Sequence, residues 1–401
     1  MNGSTLYICY FGVREPLVQT QVIPYLREIA KCGVRVNLLT FEPPASIRSG
    51  EKSLNEEKQA LAADGINWRF RTYHKRFSVI ATAYDILLGA FTILKWVRKE
   101  KIDVLHARAH IPLAMALLAR WFVSVRLIFD FRGLMAEEYV DAGVWTEGSL
   151  PYRVIKKLEN GGLRKADEIV VLTEKFKSYL VDNGLRPPDT ITVVPCCVDF
   201  ERGEERGDHE KSDRFELIYA GSVTGLYMLE EMGRFFLTLQ KARPDAFFQV
   251  LTGGDADYVK NTLSGVGIGS GDFAVQKVGP SEVPSWINRT RAAISFRKPT
   301  FSQIAASPTK IAEYLSRGVP VVVNSGIGDM DDAIDKNSVG VVIDEFDPAS
   351  YEAAVGKLLR LVEKKDTAER CVQTARAGFD LETVGASGYC GVYSRLLNSH
   401  E

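Results

Sequence analysis

The stretch that decides the fold runs from Ser307 to Asn324 and has the sequence SPTKIAEYLSRGVPVVVN. Ser307 is a favourable N-cap, Pro308 suits the first helical position, and Gly318 suits the residue after the last turn. The sequence therefore predicts a short helix with both ends marked, followed at once by a strand over Pro320–Asn324. A helix that leads directly into a valine-rich strand is typical of parallel sheets covered by helices.

Lys310 stands in the first turn of this helix, where the macrodipole disfavours a cation by about 0.3–1 kcal/mol. A phosphate held by the free N–H groups of the helix start, the Ser307 hydroxyl and the Lys310 ammonium would remove this conflict. The alternative is an exposed Lys310 that pairs with Glu313, three residues further on. Considered alone, the helix leaves both interpretations open.

Composition and charge set the class of the protein. The chain has 401 residues, 46% of them hydrophobic, which is enough for two domains that each have a core. Its net charge of −1 favours no nucleic-acid partner. Its six cysteines form no CxxC pair and no zinc-like spacing with histidine, which predicts a reduced, intracellular chain. The apolar run Leu6–Phe11 has no basic segment before it, so we expect no secretory signal and a cytoplasmic location.

The longest apolar region, Phe77–Val97, is interrupted by Asp85 and Lys95, so a membrane span is not expected. A basic segment precedes it, made of Arg69, Arg71, His74, Lys75 and Arg76. A basic segment beside an apolar one can dock peripherally on the anionic inner face of a membrane. The alternative, which we favour, is a solvated lead-in to an ordinary sheet-covering helix.

Short apolar runs alternate with helical patterns along almost the whole chain, which indicates parallel sheets covered by helices. In the first half, strands are predicted at Leu6–Tyr10, Val34–Thr40, Asn67–Phe70, Asp103–Ala107, Arg126–Asp130, Glu168–Leu172 and Thr192–Val194. Helices are predicted at Val18–Lys31, Ala81–Lys99, Pro112–Phe122, Tyr152–Lys165 and Glu174–Asn183. Residues 1–198 are therefore interpreted as one doubly wound, Rossmann-like domain.

A run of charged residues and glycine over 199–213 lacks apolar periodicity and is predicted to be a linker. Strands are then predicted at Glu216–Ala220, Phe247–Thr252, Ala274–Val278, Ala292–Phe296, Pro320–Asn324 and Gly340–Ile343. Helices are predicted at Leu229–Ala242, Tyr258–Leu263, Pro308–Ser316, Ala349–Glu363, Thr367–Phe379 and Ser387–Leu397. Residues 214–380 thus form a second doubly wound domain, and ligands are expected in the crevice where the carboxyl ends of the strands of the two domains face each other.

Three glycine-containing loops follow strands of the second domain: 221–225, Gly253-Gly254 and 326–329. Glycine lets backbone N–H groups approach a phosphate closely, although glycine in such turns also serves sterics alone. No loop matches GxGxxG or a Walker lysine loop. Asp255-Ala256-Asp257 has a form that can hold a divalent metal, but the turn before a helix favours Asp as a cap, so no metal site is predicted.

Polar residues also follow two strands of the first domain. One run, Asp103–His110, ends in His106, Arg108 and His110; the other, Phe129–Glu138, contains Asp130, Arg132, Glu137 and Glu138. Because the carboxyl ends of parallel strands meet at one edge, these side chains are candidates for a reaction-side cluster. The alternative is strand-end capping together with acids that favour a helix start.

In combination, these motifs resemble the glycosyltransferases of family 4. The resemblance lies in the strand-end His-Ala-Arg, Phe-Asp-Phe-Arg-Gly with Glu-Glu, Val194–Asp199, and above all Ser-Pro-Thr-Lys-x-x-Glu-Tyr-Leu-x-x-Gly-x-Pro-Val-Val. It covers essentially the whole chain. It implies the α/β GT-B fold with two Rossmann-like domains that face a central cleft. It further implies retaining, metal-independent transfer of a sugar from a nucleotide diphosphate sugar, bound mainly by the second domain. The acceptor, bound mainly by the first domain, would be a small molecule, a peptide or a lipid-linked glycan, in glycan or glycoconjugate biosynthesis.

The resemblance carries roles onto individual positions. Glu313 is expected to accept hydrogen bonds from the ribose, and Ser307, Pro308, Thr309 and Lys310 to hold the diphosphate. Gly221, Ser222, Val223 and Thr224 would lie under the phosphates, and Val278 and Gly279 near the base. His106, Arg108 and His110 fall on the catalytic strand of the acceptor side, where Arg132, Glu137 and Glu138 are also expected. Residues 381–401 are expected to cross back to the first domain, with Tyr389, Val392, Tyr393, Leu396 and Leu397 as the packing face of the last helix.

Two positions depart from the family pattern. The usual glutamate eight residues before Glu313 is Ala305, and the usual arginine after the first strand of the second domain is Ser222. Positive charge at the phosphates is then expected from Lys310 and Arg297. A front-face mechanism, in which the leaving phosphate takes the acceptor proton, needs mainly this charge. The rival hypotheses are a sugar-nucleotide epimerase or phosphorylase on the same fold, and a non-catalytic sugar-nucleotide-binding protein.

Overall fold

Two parallel β-sheets form the frame of the computed structural model, which describes residues 3–48, 51–74, 78–200 and 212–398. The chain contacts divide it into two units. The first comprises Met1–Ala136, Thr146–Pro195 and Leu381–Glu401, and the second comprises Glu137–Trp145 and Cys196–Asp380. Most of the predicted linker, residues 201–211, lies outside the described residues.

The sheet of the first unit has seven parallel strands in the order β3-β2-β1-β4-β5-β6-β7. The strands are β1 (Gly3–Ile8), β2 (Val34–Glu42), β3 (Ile66–Thr72), β4 (Val104–Arg108), β5 (Arg126–Asp130), β6 (Glu168–Val171) and β7 (Ile191–Val193). The α-helices between β1 and β7 are α1 (Pro16–Gln21), α2 (Ile23–Lys31), α3 (Pro44–Arg48), α4 (Glu51–Ala63), α5 (Ser78–Glu100), α6 (His110–Ala119), α7 (Met135–Asp141), α8 (Leu150–Lys165) and α9 (Glu174–Asp182). The strand order reverses between β1 and β4, which is where doubly wound sheets bind ligands.

The sheet of the second unit has six parallel strands in the order β10-β9-β8-β11-β12-β13, and its order reverses between β8 and β11. The strands are β8 (Phe215–Ala220), β9 (Ala246–Leu251), β10 (Phe273–Gln276), β11 (Ala292–Ser295), β12 (Val321–Asn324) and β13 (Gly340–Ile343). The helices are α10 (Leu229–Ala242), α11 (Ala256–Gly265), α12 (Val283–Arg289), α13 (Thr309–Ser316), α14 (Met330–Asn337), α15 (Pro348–Glu363) and α16 (Thr367–Phe379), and α17 (Ser387–Asn398) follows in the first unit.

Every predicted strand is present within a few residues, because short apolar runs that alternate with helical patterns indicate buried parallel strands. Five helices were not predicted: α3, α4, α7, α12 and α14. All are short or polar, so their apolar periodicity is weak. The single helix predicted over Val18–Lys31 is two helices, α1 and α2. The break falls at Val22 because Pro24, in the first turn of α2, cannot donate to the preceding turn.

Helix α17 packs in the first unit. Its Tyr393 hydroxyl lies 2.9 Å from the Thr5 hydroxyl of β1, and its Arg395 forms an ion pair with Glu168 of β6 at 2.7 Å. A disulfide joins Cys390 of α17 to Cys32 at the end of α2, with the two Cα atoms 6.2 Å apart. The prediction of a fully reduced chain is therefore wrong. A pairing across 358 residues leaves no spacing signature in the sequence.

Helix α5 is the one helix of the described residues whose length and composition suit a membrane span. One of its faces packs in the first unit, with Ile93 and Trp96 buried and Gly89 so close to Met115 of α6 that a Cβ there would overlap its sulfur. The polar residues before it bond within the unit: Arg69 to Glu100, Arg71 to Thr92 and His74 to Asp85. Lys75 and Arg76 lie outside the described residues. The favoured interpretation of α5 as a sheet-covering helix agrees with this packing.

Candidate functional site

The start of α13 differs from the predicted capping. The helix begins at Thr309 and its N-cap is Pro308, whereas Ser307 lies one position earlier. The Ser307 Oγ accepts a hydrogen bond from the Cys196 N–H at 3.1 Å. Ser307 therefore ties the start of α13 to the chain that enters the second unit, and it does not cap the helix. The far end is as predicted: Gly318 has φ +71, and the N–H groups of Gly318 and Val319 close the last turn.

Lys310 is buried, and its ammonium lies over two aromatic rings, 4.2 Å from the centroid of Tyr219 and 3.9 Å from that of Tyr227. It donates a hydrogen bond to the Tyr219 hydroxyl at 3.0 Å. In the part of the chain that the structure describes, no carboxylate lies within 4.0 Å of it. The alternative of an exposed Lys310 paired with Glu313 is therefore wrong. Burial, and after it Arg297, lower the pKa of the Lys310 ammonium well below its usual value, against the influence of Glu313.

The loop after β8 passes directly over this ammonium. Gly221 has φ +138, and a Cβ at that position would lie 2.5 Å from the Lys310 Nζ. Glycine is thus required twice, for the backbone conformation and for the close approach. The Tyr219 hydroxyl donates to the Ser222 carbonyl, so the tyrosine links the lysine to the loop. Ser222 and Thr224 are exposed, while the Val223 side chain is buried in the core.

Arg297 follows β11, the strand beside β8 at the point where the strand order reverses. Its guanidinium lies over the Tyr227 ring at 5.0 Å, and its buried Nε has no hydrogen-bond partner. No ion pair of Arg297 occurs among the residues described. Arg297 and Lys310 therefore place two cations without carboxylate partners around Tyr227, beside the Gly221 loop. Like charges held together in this way favour a bound anion.

The other donor-side candidates lie in the same unit. Burial raises the pKa of the Glu313 carboxyl, against the opposing influence of Lys310 and Arg317. The Gly279 N–H donates to the Glu282 carboxylate at 2.7 Å, and Val278 is half-buried against the core. Asp255 caps α11 by accepting from the N–H groups of Asp257 and Tyr258, which confirms the capping interpretation of the Asp-x-Asp run. The described residues contain no group of three or more potential metal ligands.

In the first unit, the predicted strand-end residues meet around Asp130, a fully buried carboxylate at the end of β5. Arg108 and Arg132 each place a guanidinium nitrogen 3.5 Å from it, and His106 Nε2 lies 3.6 Å away. Tyr7 and Tyr389 donate hydroxyl hydrogen bonds to it at 3.5 and 3.1 Å. Burial by itself would raise the pKa of Asp130, but Arg132, His106 and Arg108 hold it well below its usual value.

The two histidines of the Asp103–His110 run are buried. His106 is surrounded by the rings of Tyr7, Tyr389 and Tyr393, and its Nδ1 lies 2.8 Å from the Tyr393 hydroxyl. Burial lowers the pKa of His106, which favours the neutral imidazole. His110 begins α6, packs on Phe129 and Phe131, and lies 3.4 Å from the Glu159 carboxylate. A catalytic role for His106, Arg108 and His110 stays a prediction, and the contacts of these residues are those of a packed network.

The acceptor-side candidates are divided between the units. Arg132 bonds to Asp130 in the first unit, whereas Glu137 and Glu138 lie in the segment Glu137–Trp145 that groups with the second unit. Burial raises the pKa of Glu138, while Arg297 acts to lower it. The sequence alone could not separate these residues, because a continuous run suggests one location. Glu138 is thus close enough to the donor-side Arg297 to feel its charge.

Sequence reasoning missed the aromatic residues of both sites. Tyr219 and Tyr227 flank Lys310, and Tyr389 and Tyr393 reach the Asp130 cluster from α17. Tyr219 is on β8, two residues before the loop glycine Gly221, and that spacing could have predicted that its ring lies near the loop. The tyrosines of α17 were predicted as a packing face, which is correct, but their hydrogen bonds to a cluster more than 250 positions earlier carry no sequence signal.

Comparison with known proteins bears on the fold and the family. Residues 18–202 match the family model of Glycosyltransferase Family 4, while a search of curated proteins by sequence finds no significant match. A glycosyltransferase from Rickettsia africae is 14% identical, with a TM-score of 0.71 over 99% of each chain. Sucrose-phosphate synthase from Thermosynechococcus elongatus is 12% identical, with a TM-score of 0.73 over 99% of this chain and 100% of its own. HepE from Anabaena, solved with UDP and glucose, is 14% identical, with a TM-score of 0.64 over 98% of this chain and 99% of its own.

At these identities the structural likeness concerns the fold, and it confirms the predicted GT-B architecture of two Rossmann-like domains. The narrower subgroup defined by the Ser-Pro-Thr-Lys motif stays a prediction. The first half of the chain matches the family by sequence, and the whole chain matches by fold. Residues 18–202 thus match Glycosyltransferase Family 4 by sequence, and the whole chain has the GT-B fold.

Proposed function

We propose that this protein is a retaining glycosyltransferase that moves a sugar from a nucleotide diphosphate sugar to a hydroxyl acceptor. One observation carries the proposal: Lys310 and Arg297, two cations without carboxylate partners among the described residues, lie around Tyr227 beside the Gly221 loop. A diphosphate supplies the missing counter-charge, and it presents several acceptor oxygens to such a pair. That the Anabaena protein was solved with UDP and glucose supports a nucleotide sugar as the donor.

The donor is assigned by chemistry to three regions of the second unit. Lys310 and Arg297 neutralise the diphosphate, with backbone N–H groups of the loop from Gly221 to Thr224 beside them. Glu313, three residues after Lys310, accepts hydrogen bonds from the ribose hydroxyls. Val278 and Gly279 lie near the base. With cations supplied by side chains, the proposed reaction needs no metal ion to stabilise the leaving group.

Retention of configuration is proposed through a front-face reaction. As the glycosidic bond to the donor breaks, negative charge grows on the leaving diphosphate, and the two cations stabilise that charge. The acceptor hydroxyl attacks from the same face and its proton passes to the leaving phosphate oxygen, so no enzymic nucleophile is required. Ala305, in place of the family's usual carboxylate, is compatible with this route. The acceptor, a small molecule, a peptide or a lipid-linked glycan, is assigned to the first unit with Arg132 as its candidate contact.

Two alternatives share the donor site. An epimerase or a phosphorylase would also bind a nucleotide or sugar phosphate through Lys310, and a sugar-nucleotide sensor would bind without turnover. A catalytic role for His106, Arg108 and His110 would favour an enzyme, because a sensor has no need of one. An epimerase would interconvert donor sugars in the absence of any acceptor, and a phosphorylase would require inorganic phosphate.

The test is a thermal-shift panel of nucleotide diphosphate sugars, followed by donor hydrolysis measured with the ligand that stabilises most. We expect one donor to raise the melting temperature and to be slowly hydrolysed, because water replaces the absent acceptor. Lys310→Ala should abolish both effects, and Lys336→Ala, an exposed lysine of α14, should abolish neither. Tight binding of one donor with no turnover by any route would favour the sensor.

A further inference from the structure

The exposed face of α5 carries an apolar stripe that nothing in the described structure covers. Ile80, Tyr84, Leu87 and Phe91 recur at i, i+4, i+7 and i+11, and their side chains are 75, 55, 64 and 65% exposed. At 3.6 residues per turn these four positions fall within an arc of about 60°. A helix of a soluble core normally turns such a stripe inward, whereas α5 buries a second apolar face and leaves this one outside.

Two exposed basic residues extend the same face of α5 toward its carboxyl end. Lys95 follows Phe91 by four residues and Arg98 follows Lys95 by three, so both lie in line with the stripe, and both are exposed. The two acids of the helix are not presented with them: Asp85 is fully buried and bonds to Tyr10 and His74, and Glu100 forms an ion pair with Arg69. The exposed face of α5 is therefore apolar over its first part and cationic over its last turns.

A second pair of exposed aromatic residues lies in the same unit. Trp121 and Phe122 directly follow α6, the helix against which α5 packs, and they are 71 and 66% exposed. Tryptophan at a protein surface is typical of the boundary between lipid headgroups and acyl chains. Trp121 and Phe122 therefore add an exposed apolar pair to the unit that carries the stripe.

We propose that the α5 stripe, with Lys95 and Arg98, is a docking surface for an anionic lipid bilayer. The four apolar side chains enter the interface while the two cations meet phosphate headgroups, with the helix lying in the plane of the membrane. The surface does not include Arg69, Arg71 or His74, whose side chains bond within the unit. The proposal is independent of the transfer reaction, since it requires no donor and no acceptor.

The experiment is flotation of the purified 401-residue protein with vesicles of phosphatidylcholine alone and of phosphatidylcholine with phosphatidylglycerol. We expect binding to the anionic vesicles, weaker binding at high salt, and little to the neutral ones. Leu87→Glu combined with Phe91→Glu should lower the partition coefficient by about tenfold or more, because it removes apolar burial. The control Leu185→Glu changes an exposed leucine elsewhere in the unit and should leave binding unchanged.

The cations are tested by reversing them. Lys95→Glu with Arg98→Glu should abolish the preference for anionic vesicles, whereas Lys357→Glu with Arg360→Glu, an exposed pair of the same spacing on α15, should not. Circular dichroism checks that each variant is folded. Absence of wild-type binding to anionic vesicles, or equal loss in the controls, would overturn the proposal. So would a concentration-dependent dimer that Leu87→Glu dissociates, because the stripe would then bind a second copy of the chain.

Discussion

The Lys310 ammonium donates a hydrogen bond to the Tyr219 hydroxyl over 3.0 Å, and that hydroxyl donates in turn to the Ser222 carbonyl. The lysine is thus held against the loop by a neutral oxygen and two aromatic rings instead of a carboxylate. Such an environment positions the amine but leaves its charge uncompensated, and a buried charge without a partner is costly. A bound anionic ligand would supply the counter-charge that the Lys310 ammonium lacks.

Removing the amine should separate phosphate binding from nucleoside binding. For Lys310→Ala we expect the affinity for a nucleoside diphosphate to fall by about 10- to 100-fold, the value of a hydrogen bond to a charged group. The affinity for the corresponding nucleoside should change little. Isothermal titration with UDP and with uridine measures both, with Lys336→Ala as the control. Equal losses for the two ligands would remove Lys310 from the phosphate site.

The buried Lys310 amine should lower the free energy of unfolding of the ligand-free protein. The pKa of Lys310 is lowered in the folded state, and its unfolded value is about 10.4, so between the two values the unfolded chain binds more protons. Stability should therefore rise with pH across that window. We expect Lys310→Met to melt higher than the wild type at neutral pH, by about 2–4 °C for a gain near 1 kcal/mol, and the difference to shrink as the pH approaches 10. A difference that stays constant with pH would contradict the buried-charge explanation.

The loop glycine should be needed for more than its backbone conformation. Gly221→Ala introduces a Cβ 2.5 Å from the Lys310 Nζ at φ +138, so we expect loss of both stability and diphosphate binding. Gly267→Ala is the matched control, because Gly267 also has positive φ, +103, but its nearest neighbour would lie 3.9 Å away. Thermal unfolding and UDP titration of the two variants distinguish the effect of backbone strain from the effect of the contact between the new Cβ and Lys310. If the two variants lose UDP affinity equally, the close approach is not functional.

Glu313 should act on the ribose. For Glu313→Gln, which keeps the shape of the side chain, we expect about a tenfold loss of affinity for UDP and for uridine and none for pyrophosphate. Competition titrations with the three ligands provide the measurement. Glu363→Gln, at an exposed acid that ends α15, is the control. Unchanged affinity for uridine would exclude Glu313 from the ribose site.

The Asp130 carboxylate should stabilise the first unit in a pH-dependent way. Its folded pKa is depressed, so its contribution is present above the unfolded value near 3.9 and is lost as the pH falls toward the folded value. At neutral pH, Asp130→Asn removes the carboxylate that pairs with the buried Arg108 guanidinium, and we expect a loss of about 3–5 kcal/mol in urea unfolding. Asp64→Asn, which breaks the half-exposed pair with Arg27, should cost about 1 kcal/mol or less. A loss for Asp130→Asn that does not diminish in acid would contradict this account.

The elements that the sequence predicted well are those whose physics is local. The strands follow from short apolar runs, and the end of α13 follows from Gly318, so the strands could be placed within a few residues and the end of α13 within one or two. The start of α13 was displaced by one residue, because the Ser307 hydroxyl is used by the Cys196 N–H, a partner 111 positions away. Local capping rules cannot include such a partner.

What the sequence could not predict depends on tertiary contacts. Lys310 was identified as out of place in a helix start, but its aromatic surroundings come from a different strand and loop, Tyr219 and Tyr227. The Cys32–Cys390 disulfide joins residues that only the folded first unit brings together. The placement of Glu137 and Glu138 with the second unit likewise has no local signal.

The position of α17 has a consequence for how the chain is made. Its tyrosines complete the environment of His106 and Asp130, yet they are synthesised after all of residues 196–380. During translation, α17 is made only after the second unit has been synthesised. Until then the first unit lacks the contacts of α17, and Asp130 lacks its hydrogen bond from the Tyr389 hydroxyl. The order of the chain thus delays the maturation of the cluster until both sheets exist, and it makes the interval before α17 arrives the time when chaperone binding would matter most.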